Sequence, residues 1–80
     1  PYPNPFNPVT NIKFSLNRNA HIRIDIIDIT GRLIDNLVDN EYEAGQHTIP
    51  WVTYPVPSGV YFVRLSFYNI TETKKLLLLK

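Results

Sequence analysis

The sequence predicts an all-β domain, a small Ig-like antiparallel β-sandwich of about six to seven strands behind a proline-rich N-terminal leader. Three observations predict it. Apolar and polar residues alternate with period two down the chain, and no window sustains a capped helical period. Six strand candidates recur at spacings of about ten residues, each bounded by turn chemistry. The chain has 80 residues, a length at which a two-sheet sandwich fits best.

Each element follows from its residues. "PYPNPFNPV" (residues 1–9) carries four prolines in its first eight positions. Proline fixes φ and lacks an amide proton, and the residue before it is driven to extended geometry. This segment is therefore a stiff leader docked at a sheet edge, with Tyr2 and Phe6 as its large apolar groups and Phe6 expected as a plug at the open end of the sandwich. The sandwich itself is expected over residues 10–80. Ile12, Phe14 and Leu16 alternate with Lys13 and Ser15, and "NRN" turns the chain. Ala20, Ile22, Ile24 and Ile26 then alternate with His21, Arg23 and Asp25, the clearest strand, whose second set reads as a solvated polar face. "DITGR" is a hairpin turn in which Gly31 supplies positive φ.

Leu33 to Val38 is polar enough for an edge strand, and "DNEYEAG" is the next connection. "QHTIPW" sets His47, Ile49 and Trp51 on one face, and Pro50 removes a ladder donor, which suits an edge. "VTYPVPSG" is a proline-broken loop. "VYFVRLSFY" forms a long strand, "NITET" turns, and "KKLLLLK" closes the chain. A seventh short strand is expected in the leader or in "YEAGQ". The two-sided apolar stretches Tyr61 to Val63 and Leu76 to Leu79 suggest central strands, or strands with one face covered by a loop. "PSGVYFVRL" also resembles the tyrosine corner of Ig domains, with Tyr61 two residues before Val63.

Composition narrows the function classes. The formal net charge is +1 and the Lys and Arg residues are scattered, which argues against a nucleic-acid partner. There is no cysteine, so neither a disulfide nor a thiolate metal site is available. "LLLL" is far too short for a membrane span. The N-terminus shows no signal peptide and no initiator Met, and we read the chain as a piece of something longer.

Chemistry is sparse. His21 reads as solvated and His47 as a half-buried structural histidine, because no Ser or Cys nucleophile accompanies either. Asp25 and Asp28 have opposite strand phase and form no acid–base pair. "DNEYE" (Asp39 to Glu43) holds carboxylates but lacks the spacing of a calcium loop. Trp51, Tyr54 and Tyr61 offer an aromatic sugar platform, against which the phase of Trp51 places it in the core. "NIT" at Asn69 to Thr71 matches a glycosylation sequon that arises often by chance. The residues give no catalytic, cofactor-binding or metal site. The domain is expected not to be an enzyme.

Five stretches in register resemble one family. They are "YPNPFNPVTNIKFSL" at Tyr2 to Leu16, "IDIIDITGRLIDNLVD" at Ile24 to Asp39, "AGQHTIPW" at Ala44 to Trp51, "PSGVYFVRL" at Pro57 to Leu65 and "TKKLLLLK" at Thr73 to Lys80. Together they resemble the type A C-terminal sorting domain of cargo exported by the bacterial type IX secretion system, which is similar to the Ig-like domain of flagellar hook-capping proteins. Val52 departs from the acidic residue that many members carry after the Trp.

The resemblance implies a non-catalytic address, one single domain over residues 1–80 attached behind a covalent cargo domain of a larger secreted protein. It implies the outer-membrane translocon and a sorting peptidase as partners, with no nucleic acid and no membrane span. It implies secretion to the surface of a Gram-negative bacterium through periplasm and outer membrane. The address is expected in the last strand pair, Gly59 to Lys80, with Gly59, Lys74, Lys75, Leu77, Leu79 and Lys80 as candidate recognition residues. Lys74, Lys75 and Lys80 equally suit gatekeepers that keep a sticky strand soluble. The alternative is a structural Ig-like spacer, or an adhesion or carbohydrate-contacting module of a surface protein.

Overall fold

The computed structural model describes residues 9–79. Six strands follow in order: β1 Val9–Leu16, β2 Ala20–Asp28, β3 Leu33–Tyr42, β4 Gly45–Val52, β5 Gly59–Phe67 and β6 Ile70–Leu78. All pairings are antiparallel. β1 and β4 form a two-stranded sheet, and β3-β2-β5-β6 form a four-stranded one. The all-β expectation holds. The leader and the Phe6 plug lie outside the described residues.

The alternation of β2 decides where the core sits. Ile22, Ile24 and Ile26 are fully buried and Ala20 nearly so, each isoleucine contributing about 1.5–3 kcal/mol of burial. Leu16, Ala20, Ile22 and Ile24 gather Phe14, Ile49, Tyr42 and Leu65 around them in one lobe. Ile26, Trp51, Tyr61 and Leu78 form the second lobe, with Ile34, Val56 and Leu76 against it. Phe14, Tyr42 and His47 close the first lobe as an aromatic trio, His47 stacked 5.2 Å from Phe14 and edge-on at 4.9 Å to Tyr42. His47 is half-buried and its Nε2–H donates to the Glu43 carbonyl at 2.7 Å, so it is structural.

β3 departs from the expected pattern. It runs on to Tyr42, so the expected connection "DNEYEAG" shrinks to Glu43 and Ala44. Its register against β2 slips twice, between Ile24 and Asp25 and between Ile26 and Ile27. The unopposed residues are Leu37 and Ile34, both packed on the core. A bulge shifts parity by one, which is how a strand without clean alternation still buries an apolar face. Tyr42 ends β3 and Gly45 opens β4, so "YEAGQ" holds no seventh strand.

The turns follow their chemistry. At the β2–β3 hairpin the Asp28 carboxylate accepts from Thr30 N and Oγ1 and from Arg32 N, and Gly31 takes φ 87°. The β5–β6 turn is tighter than "NITET" suggests: Phe67 already faces Ile70, leaving only Tyr68 and Asn69 between strands. Tyr68 carries φ 55°, a conformation costly for a bulky residue. Its hydroxyl donates to the Asn19 carbonyl at 2.8 Å and Arg18 stacks 4.6 Å from its ring, which ties this hairpin tip to the β1–β2 turn.

The expected tyrosine corner is present in its essential contact. Tyr61 is buried, and its hydroxyl donates to the Pro57 carbonyl at 2.6 Å.

Candidate recognition surface

β6 is the terminal strand of the four-stranded sheet and lies on its edge, bonded among the described residues to β5 alone. The expectation of a central or loop-covered strand holds for β5, which sits between β2 and β6, and fails for β6. Leu78 is buried among Ile26, Trp51 and Tyr61, and Leu76 packs beside it. The odd-numbered residues point the other way. Leu77 is 59% exposed and Leu79 73%, far more than a strand with two covered faces allows.

The solvent face of this sheet has two halves. In one, Leu33 faces Ile27, Ile27 faces Phe62, and Val60 faces Leu77, an apolar band crossing all four strands. Leu33 and Leu77 are its exposed ends. Lys75 stands opposite Phe62 on the same face. In the other half lies a polar ladder. His21 reaches Asp39 at 2.6 Å through Nε2 and Glu41 at 3.1 Å through Nδ1. Arg23 donates to Asp39 at 3.4 Å and to Asp25 at 2.9 Å, and Arg64 donates to Asp25 at 3.2 Å.

Asp25 corrects the solvated reading of the β2 polar face: it is 1% exposed. Arg23 approaches along its own strand and Arg64 stands directly opposite in β5. Asn36, placed beside it by the first bulge, donates to its Oδ1 at 2.9 Å. Burial alone pushes the Asp25 carboxyl up, but the hydrogen bonds from Arg23, Asn36 and Arg64 and the Arg23 charge outweigh it and hold it below the ordinary range. His21 is exposed yet not merely solvated. The hydrogen bonds from its ring to Asp39 and then Glu41 raise its pKa above the ordinary histidine value. What stability this pair gives is present below the ordinary value and lost as pH rises through the raised one.

The remaining candidates separate. Lys74 and Lys75 are exposed, and neither has an ion-pair partner among the described residues. They point to opposite faces, Lys74 inward with Leu76 and Lys75 outward with Leu77. Gly59 is half-buried opposite Leu78 with φ 158°, and a Cβ there would meet Tyr61 at 3.7 Å, an ordinary contact. Its role is in the backbone at the start of β5. Lys80 lies outside the described residues. The structure thus brings Lys75 and Leu77 onto one face, sends Lys74 to the other, and adds Phe62, Val60 and Leu33 around a buried Ile27, which strand-by-strand reading leaves apart.

Two other candidate chemistries do not assemble. Trp51 and Tyr61 are buried and only Tyr54 of the three stands out, 76% exposed, so these three form no aromatic platform. Asp39 and Glu41 both turn to His21, and among the described residues no group of three or more His, Cys, Asp or Glu side chains is placed to hold a metal ion. No helix among the described residues is long and apolar enough to cross a membrane.

The family model described as the secretion system C-terminal sorting domain matches residues 1–79. No curated protein and no solved structure matches the chain.

Proposed function

The chain belongs to the secretion system C-terminal sorting domain family, and from that premise we propose that its last strand is the portion of the address that the machinery reads. The domain is a sorting signal for type IX secretion, which carries its cargo across the outer membrane to the surface. We read it as one address unit over residues 1–80, joined to a cargo domain and without chemistry of its own.

The observation that carries the reading is the division of labour in β6. Leu78 anchors the strand in the core while Leu77 and Leu79 face solvent. The solvated face of an antiparallel sheet commonly carries polar residues, and two successive outward leucines, with the exposed Leu33 across the sheet, depart from that pattern. The translocon is the partner this face fits, with Leu77, Leu79 and Lys75 as the contacts and Lys80 continuing them. Cleavage by a sorting peptidase, and passage through the periplasm of a Gram-negative cell, belong to the same reading.

A shortened domain tests it. The full chain, fused behind a periplasmic signal and a fluorescent protein in a type IX-competent bacterium, should reach the medium or surface, and should not in a strain lacking the translocon. Removing only Leu79 and Lys80 spares every residue of both core lobes. The melting transition should therefore barely move while the reporter stays in the periplasm. Normal export of that truncated reporter would take the two residues after β6 out of the recognition surface and leave Lys75 and Leu77 to carry it.

A further inference from the structure

The sandwich is lopsided, with two strands lying over four. Among the described residues β1 bonds only to β4 and β6 only to β5, so each keeps one edge that no described strand pairs. Between those edges runs a groove of about 440 Å³, with Val63, Leu65 and Phe67 of β5 among its lining. These three are half-buried, whereas Ile22, Ile24 and Ile26, at equivalent inward positions on neighbouring β2, are fully buried. The difference marks where the smaller sheet stops short. Among the described residues, a strand-wide strip of apolar core is left without a cover beside an open strand edge.

The groove is also charged in one sense. Lys13 stands on its β1 side and Lys74 on its β6 side, with Glu72 on the same strand as the carboxylate in the lining. Lys75 touches the groove only from a strand position whose side chain turns outward. No ion pair engages Lys13, Lys74 or Lys75 among the described residues. We propose that this groove accepts an extended segment of the secretion machinery, with apolar residues on one face and carboxylates along its flanks, which adds to the free edge of β1 as a third strand. The partner's identity rests on the sorting reading above; the chemistry of the groove does not.

Strand addition supplies main-chain hydrogen bonds that are indifferent to sequence, and alternate side chains then choose the partner. Every second residue of the incoming strand would lie on Val63, Leu65 and Phe67, where the sandwich lacks its cover. Its carboxylates would meet Lys13 and Lys74 across the rim, which selects for acidic strands and against basic ones. The charges on β6 itself discourage unselected edge pairing.

Two measurements on the full chain decide this. In the first, a synthetic hexapeptide alternating Val and Glu is titrated into the isotope-labelled domain. Amide resonances of Ile12 to Ser15 and of Leu65 and Phe67 should shift, and the Val–Lys peptide should leave them in place. The double variant Lys13→Glu/Lys74→Glu, both at exposed positions, should melt with the parent, lose about tenfold in affinity for the Val–Glu peptide and turn towards Val–Lys. Absence of shifts at millimolar peptide, or shifts confined to Leu77 and Leu79, would overturn the groove. So would sedimentation of the parent as a dimer through these same residues, which would make a second copy the occupant.

In the second, the double variant is placed in the reporter fusion, where export should fall about tenfold. Undiminished export with a folded domain removes the groove from sorting. If instead the parent fusion itself is not exported, the sorting reading fails, and the peptide titration alone judges the groove.

Discussion

Trp51→Ala is expected to unfold the domain or bring it to the brink. Trp51 is completely buried in the second lobe, with Ile26, Tyr61 and Leu78 around it and the Tyr61 ring edge-on at 6.0 Å. Truncating a buried aromatic to Ala costs about 3–5 kcal/mol, and a domain of this size has only about 5–10 kcal/mol to lose. Trp51 also offers a useful control. Its Nε1–H is buried without a hydrogen-bond partner among the described residues, so Trp51→Phe removes an unsatisfied donor together with a portion of the ring. Thermal melts followed by circular dichroism should therefore show Trp51→Phe much nearer the parent than Trp51→Ala. A Trp51→Ala protein melting within a few degrees of the parent would show that the two sheets do not meet at this ring.

Asp25 should give the second large effect, and one that depends on pH. Its carboxylate is almost wholly buried and accepts from Arg23, Arg64 and Asn36. Asp25→Ala removes the carboxylate that the Arg23 and Arg64 guanidinium groups share and leaves the Asn36 amide only its weaker contacts to the Ile24 and Val38 carbonyls. Both arginine side chains are well over a third exposed, so water relieves some of the penalty, and we expect about 2–4 kcal/mol. The sign with pH follows from the depressed carboxyl. Its contribution is complete above the ordinary carboxylate pKa of about 4 and fades as pH falls through the lower folded value. Urea denaturation at neutral pH should separate parent and Asp25→Asn widely, and near pH 2 the gap should narrow. A gap that stays constant through that range would mean the three donors contribute nothing to Asp25 in the folded state.

Much of this architecture is legible from residue alternation because the strongest strand is also the central one. Ala20, Ile22, Ile24 and Ile26 announce β2, and Trp51 shares the inward phase of Ile49, so the core can be named before the fold is known. The edge positions of β3 and β4 also follow from polarity and from Pro50. Parity fails where the backbone slips. Two bulges in β3 carry Ile34 and Leu37 inward and bring Asn36 to Asp25, and nothing in "LIDNLV" marks where a slip occurs. Asp25 escapes a strand-by-strand reading because a charged residue on an outward phase normally faces water. Its burial needs Arg64, 39 residues later, a pairing that emerges only once β5 is known to lie beside β2.

The recognition candidates show the same limit. Leu77 can be named from its run of leucines, and the matching family motif draws attention to that run. The apolar band from Leu33 through Ile27 and Phe62 to Leu77 cannot, since it crosses four strands whose order is 3-2-5-6. The groove beside β1 is harder still. It comes from a mismatch in strand number between two sheets, which no single stretch encodes.

The attachment of β6 has a mechanical consequence. A pull on the Leu78 end of β6, directed away from β5, loads the ladder as a zipper. Its rungs open in succession from Gly59–Leu78 towards Phe67–Ile70, so only the bond at the fork bears force at any moment. A pull between β2 and β5 along their length would load the central ladder in shear, with many bonds sharing the tension at once. The same domain is thus soft when tugged at one corner and stiff across its middle. An optical trap with handles at residues 59 and 79 should record a low, stepwise rupture, and handles placed at residues 22 and 61 a single high one. Equal rupture forces would mean that Leu78, seated among Trp51, Tyr61 and Ile26, acts as a latch that must fail before the zipper can run.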